Sequence, residues 1–185
     1  MNKFYFVMLV CAFLFGSLLN ADAGGKLWNS EEGKFSVPFG KNYNYDDILV
    51  VRAVDGDTLK LEDGQRLRLI GIDTPEMHES AKLVRDAKRS QQDKALIQSM
   101  GRSSYEFTKK LVEGKRVRLE FDIEKHDRYG RLLAYVYLAD GTFVNNEIVK
   151  QGYASIMTYP PNVKYADTFL NSYRQARESR RGLWK

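Results

Sequence analysis

Three short runs carry side chains suited to handling a phosphate. Asp55-Gly56-Asp57-Thr58 sets two carboxylates around a glycine; Arg68 leads into Asp73-Thr74-Pro75-Glu76; and Asp127-Arg128-Tyr129-Gly130-Arg131 ends on a second arginine. Alone, each has a bland reading, since Asp-Gly is a common turn former and acidic loops are usually just solvated. Together they add up to more. Asp57 and Asp73 sharing one small site would repel, and a hard divalent cation relieves that repulsion. Oxygen-only ligands favour calcium, or magnesium or manganese, over zinc. Arg68 and Arg131 present planar forks that match phosphate oxygens and the extra charge of a pentacoordinate transition state. Glu76 could orient or deprotonate an attacking water. Pro75 fixes its own φ and restricts Thr74, so the acidic loop should be rigid. The chemistry these groups suit is attack on a phosphodiester.

Something must bring the three runs together. Ile48–Val54 is β-branched and apolar, Thr58–Leu61 alternates, and Gln65–Ile72 alternates again, which predicts three antiparallel strands joined by tight turns. Glu79–Met100 is charged with a sparse apolar stripe, predicting an exposed helix or helix pair. Gly101 should interrupt it, with Ser103 or Ser104 capping a further helix that ends at Gly114. Arg116–Ile123 alternates with Val117, Leu119, Phe121 and Ile123 on one face, and Arg131–Leu138 forms another strand. Asn145 is placed to cap a short helix, Tyr153–Met157 reads as a short extended segment, and an amphipathic helix closes the chain. Tyr129 and Tyr135 read as packing residues, and His78 and His126 as exposed loop residues. The sum is mainly β with added helices: a five-stranded OB-fold-type barrel with about three helices.

The 185 residues, 43% hydrophobic and 29% charged, are of globular composition and the right length for one domain plus appendages. The net charge of +5 leans toward polyanionic partners. The single cysteine, Cys11, excludes a disulfide framework and a thiolate zinc site, and two histidines exclude a three-histidine centre. There is no nucleophilic serine or cysteine constellation and no glycine-rich cofactor loop. Lys3, the apolar run Phe4–Leu19 and the small residues before Gly24 predict a secretory signal peptide over 1–23, cleaved after Ala23. The run is short of the roughly 20 residues of a membrane span, although an uncleaved signal would leave an anchor. A polar extension over 24–46 and one domain over 47–185 would follow, with a periplasmic or extracellular destination.

From Ile48 to Trp184 the chain resembles the thermonuclease, or staphylococcal-nuclease-like, family. The resemblance rests on Val54-Asp55-Gly56-Asp57-Thr58, Arg68-Leu69-Ile70-Gly71-Ile72-Asp73-Thr74-Pro75-Glu76, Asp127-Arg128-Tyr129-Gly130-Arg131, Val144-Asn145 with Gly152-Tyr153-Ala154, and Arg181-Gly182-Leu183-Trp184. It implies an SNase-like OB-fold and a calcium-dependent endonuclease that hydrolyses DNA and RNA to 3′-phosphate ends; the default oligomeric state is a monomer, with no obligate protein partner. It also implies calcium ligation by Asp57, Asp73 and the Thr74 carbonyl, with Asp55 nearby. Glu76 would be general base, Arg68 and Arg131 would bind and stabilise the phosphate, and Arg128 and Tyr159 would contact substrate. Met157 stands where the family has a second tyrosine. The segment 79–100 is longer than in compact members. Its Lys82, Arg85, Lys88, Arg89 and Lys94 could extend a phosphate-contacting surface, but the interspersed Asp86 and Asp93 favour a solvated face. The alternative to an enzyme is a non-catalytic OB-fold nucleic-acid-binding module, which would have no evident need for adjacent carboxylates.

Overall fold

Apolar alternation builds the strands. In β1 (Ile48–Asp55) Ile48, Val50 and Ala53 turn inward, and in β2 (Thr58–Leu61) Leu59 and Leu61 do the same. Each large apolar side chain so buried contributes about 1.5–3 kcal/mol. The chain continues through β3 (Arg66–Leu69), and later β5 (Arg116–Glu120) and β6 (Leu132–Leu138) complete a closed barrel in the order β1-β2-β3-β6-β5. The computed structural model describes residues 44–91 and 93–185. The expected signal peptide and most of the extension lie outside the described residues. Tyr45, assigned to the extension, packs edge-on against Phe121, and its carbonyl accepts the Leu119 N–H at 2.7 Å.

The third strand stops earlier than its alternation predicts. Gly71, at φ +84°, sits under the Phe169 ring, in a conformation and a space that admit no side chain. The chain turns out of the barrel there, and β4 (Gly71–Asp73) pairs instead with β7 (Ser155–Met157). This break aims Asp73 back toward the barrel end. It is held by Asn145, which is fully buried. Its amide donates to the Ile70 and Ala134 carbonyls at 2.9 and 3.3 Å, and its Oδ1 accepts the Val136 N–H at 2.9 Å. Asn145 therefore does not cap α3 (Val144–Lys150), as expected; its polarity is used to join strands.

Four α-helices stand among the described residues. The charged segment folds as a pair: α1 (Ala81–Ser90), capped by Ser80, and α2 (Lys94–Val112), capped by Asp93. Gly101 does not interrupt α2. It is where the helix meets the backbone of Pro75 and Glu76, at a distance that leaves no room for a Cβ. Ser104 faces inward, donating to the Tyr153 carbonyl at 2.6 Å, so neither it nor Ser103 is a cap. One turn on, Thr108 donates to the Gly56 carbonyl at 2.7 Å. The last helix is α4 (Ala166–Glu178), which buries Phe169, Ser172 and Ala176. Ile123 lies beyond the end of β5 and is 73% exposed, so its alternation carried no burial. Among the described residues no helix is long and apolar enough to cross a membrane.

Candidate active site

Pairing register, not sequence distance, assembles the site. Thr58 of β2 lies opposite Arg68 of β3, so Asp57 stands one step from that arginine. On its other side β3 runs parallel to β6, with Leu67 level with Leu132 and Arg68 with Leu133. Arg131 lies immediately before β6, near enough for its charge to act on Arg68. The Gly71 break supplies the fourth part by returning Asp73.

Arg68 is the hub. Its Nη2 donates to the Asp73 carboxylate at 2.9 Å and to the Ile72 carbonyl at 3.1 Å, and its Nη1 is in close contact with Asp57 Oδ1. Burial pulls the Arg68 pKa down, the Asp73 carboxylate opposes this, and the like charge of Arg131 adds to the fall. Asp57 is buried, and its Oδ2 accepts both the Thr74 N–H and the Thr74 hydroxyl at 2.9 Å. An orphaned carboxylate here would cost several kcal/mol, and these partners prevent that. Asp55 accepts the Gly56 N–H at 2.8 Å. Burial pushes its pKa above the usual carboxylate range and the Glu76 charge adds to this, while the Gly56 bond, Lys82 and Arg68 work against it. Glu76 lies at the same end, its carboxylate 3.4 Å from the His78 N–H.

Arg131 is clamped by a residue of its own loop. Its Nε and Nη2 both reach Asp127 Oδ2 at 2.7 Å, and Asp127 Oδ1 accepts the Arg131 and Tyr129 N–H groups at 3.0 and 2.9 Å. Burial raises the Asp127 pKa, but these amide bonds and the guanidinium outweigh it and hold the carboxyl below its usual range. Arg128 is exposed beside them, donating to the Tyr129 hydroxyl at 2.7 Å. Tyr129 is 69% exposed, with Arg128 and Arg131 both near its ring, so it is a surface residue and not the packing residue expected; Tyr135 is fully buried. His78 and His126 are exposed.

Tyr159 and Met157 flank the site on the β7 side, Met157 standing opposite Gly71. They line a cavity of about 650 Å³ that opens beside Asp73 and Thr74, with Arg89 and Trp184 on its other walls.

Nothing in the alternating charges of 79–100 sets Lys82 apart from its neighbours, yet it reaches the site. From the first turn of α1 its Nζ donates to Asp73 Oδ1 at 3.0 Å and to the Thr74 carbonyl at 2.9 Å. For this lysine the solvated-face reading of 79–100 does not hold. Nor were Asp127, Asn145 and Gly101 singled out as residues that position the site. Only Asp127 left a readable trace, as an Asp-x-x-Gly turn running into an arginine.

Among the described residues no group of three or more His, Cys, Asp or Glu side chains is placed to hold a metal ion. A cation at this site would draw on two carboxylates, Asp57 and Asp73, and on the Thr74 carbonyl, with water completing its shell. These are hard oxygen donors, and the Lys82 ammonium already stands against two of the three.

Known proteins resemble this chain over most of its length. Residues 66–185 match the model of the family described as staphylococcal nuclease homologue. The chain belongs to that family. Within the staphylococcal nuclease homologues it is 35% identical over 158 residues to the thermonuclease of Staphylococcus hyicus, covering 84% of this chain and 85% of that one. It is 38% identical over 143 residues to the thermonuclease of Staphylococcus intermedius, covering 76% and 77%. It is 31% identical over 172 residues to Endonuclease YncB of Bacillus subtilis, covering 90% and 75%. The closed five-stranded barrel with its helices is the fold expected of this family.

Proposed function

We propose that this protein is an exported, calcium-dependent nuclease that hydrolyses phosphodiester bonds of DNA, RNA or both and leaves 3′-phosphate ends. The observation that carries the reading is Arg68 bridging two carboxylates within the field of Arg131, in a family whose similar members are named thermonuclease and endonuclease. A binder of nucleic acid gains nothing from carboxylates facing a phosphate; a hydrolase needs them. Export rests on the sequence of residues 1–23 alone.

Asp57, Asp73 and the Thr74 carbonyl are the groups that would hold the ion. Calcium bound there would neutralise the carboxylates and draw negative charge from a phosphate oxygen. The protein's own groups do the rest. Arg131, presented by Asp127, binds a non-bridging phosphate oxygen through its fork. Arg68 turns from the carboxylates to the phosphate as charge builds there, giving a stronger contact in the transition state than in the ground state. Glu76 takes the proton of the attacking water, and Asp55 lies within its field. Arg128 and Tyr159 are outlying substrate contacts, each exposed and free to meet a strand.

The test incubates the purified protein with single-stranded DNA, duplex DNA and RNA in calcium or in chelator, and maps the ends formed. Calcium-dependent cleavage to 3′-phosphates is expected. Intact substrate in calcium, magnesium and manganese, from folded protein that still binds nucleic acid, would overturn the reading in favour of a binding module.

A further inference from the structure

The segment between Glu76 and the main body of α2 reaches into the site through one side chain. Lys82 follows the Ser80 cap by two residues, and its neighbour Leu83 is fully buried, so the first turn of α1 is seated and the lysine's direction is set. Its side chain is 28% exposed and that of Asp73 18%, so the pair is partly shielded from water. The ammonium divides its donors between Asp73 Oδ1 and the Thr74 carbonyl, 3.0 and 2.9 Å away. Arg68 serves the remaining acid, touching Asp57 and Asp73 together. Both carboxylates are therefore neutralised by the chain's own cations.

The two oxygens that Lys82 holds are among the three assigned to the metal ion in the reading above, on which this inference rests. An ammonium and a divalent ion sitting against the same two oxygens would repel each other strongly at contact distance, so one gives way to the other. We propose that Lys82 is the built-in counter-ion of the metal-free site, and that a divalent ion binds by displacing its ammonium and freeing the first turn of α1 from the Asp73–Thr74 loop. Two consequences follow. Between ions the site stays assembled, because Lys82 and Arg68 offset the repulsion between Asp57 and Asp73. The ion's apparent affinity is scaled down to the fraction of time Lys82 is undocked, which sets the metal level at which the site fills.

The experiment titrates calcium by calorimetry into the full chain, freed of metal, as wild type, Lys82→Gln, Lys82→Met and Lys88→Gln. Lys88 is exposed near the far end of the same helix and serves as the control for general charge. Both Lys82 variants should bind calcium about three- to tenfold more tightly than wild type, the scale of a partly exposed ion pair, while Lys88→Gln stays within about twofold. A brief pulse of amine-reactive label, read by mass spectrometry, gives a second measure that does not involve activity. In chelator Lys82 of the wild type should label more slowly than Lys88, and calcium should raise its labelling several-fold while leaving Lys88 unchanged. Equal calcium affinity in all four proteins, or Lys82 labelling that calcium does not raise, overturns the exchange and leaves the metal reading standing. Failure of every one of the four to bind calcium, magnesium or manganese takes down the metal reading and the exchange together.

Discussion

Replacing Gly101 by alanine tests how the Pro75–Glu76 loop is held. A Cβ at this position would lie 2.7 Å from the Pro75 oxygen and from the Glu76 carbonyl carbon, where ordinary contact begins at 3.4 Å, so the two backbones must part by about 0.7 Å. Neither neighbour is a flexible side-chain tip that could step aside. Helix α2 is pinned beyond Gly101 by the Ser104 and Thr108 hydroxyls, so the loop is the part that gives, and Glu76 moves with it. Overpacking of this kind costs about 1–3 kcal/mol, and the better helix propensity of alanine returns about 0.5–1. The net loss is on the order of 1 kcal/mol, or a melting temperature lower by roughly 3–4 °C for a domain of this size. The effect on turnover should be larger in proportion, since a misplacement near 1 Å can cost about 10² in rate. Thermal melts and steady-state cleavage of a nucleic-acid substrate measure both. A Gly101→Ala protein that melts no lower than wild type and turns over at the same rate would show that α2 does not position Glu76.

Other substitutions read other parts of the site. Arg131→Ala should lower kcat by about 10²–10³ with little change in melting temperature, measured on the same substrate, because it removes one preorganised contact to the phosphate. Asn145→Ala leaves the Val136 N–H and the Ile70 carbonyl without partners in the core, and denaturant unfolding should show a loss of about 2–4 kcal/mol. Asp127 is held below the usual carboxylate range, so its contribution to stability is complete at neutral pH and is lost as pH falls through its native pKa. Stability of Asp127→Asn measured from pH 7 to pH 3 should therefore lie below wild type at neutral pH and converge with it in acid; a constant gap would mean the charge is not responsible. Tyr129→Phe removes only an exposed contact to Arg128 and should leave unfolding within about 0.5 kcal/mol of wild type.

The barrel strands were legible because one face of each is buried, and that writes a period of two into Leu59 and Leu61, or Val117 and Leu119. The motif residues were legible as types in order. The parts that were not legible share a cause: they depend on what lies across the fold. Ile123 continues an alternation past the point where any partner strand exists to bury it. Gly101 and Asn145 resemble a helix breaker and a helix cap, the usual local uses of those residues. Their actual surroundings are a distant backbone and the seam between strands, neither of which leaves a mark nearby in sequence. Lys82 sits among alternating charges that read as solvated, and only the path of α1 over the Asp73–Thr74 loop separates it from Lys88. Tyr129 is aromatic enough to read as a packing residue, but it falls on the exposed loop that presents Arg131.

The parallel pairing of β3 with β6 has a consequence for when this site exists at all. Leu67 and Leu132 are neighbours in space and 65 residues apart in the chain, with α1, α2 and β5 threaded between them. Closing so long a span must be offset by contacts that form only when both ends are present. A chain still emerging from the ribosome, with β6 not yet made, has Asp57, Arg68 and Asp73 but no Arg131 beside them and no barrel to hold them. The chemistry is thus tied to completion of the domain, and a protein whose proposed substrate includes the RNA around it during synthesis is inert until its sixth strand closes the wall.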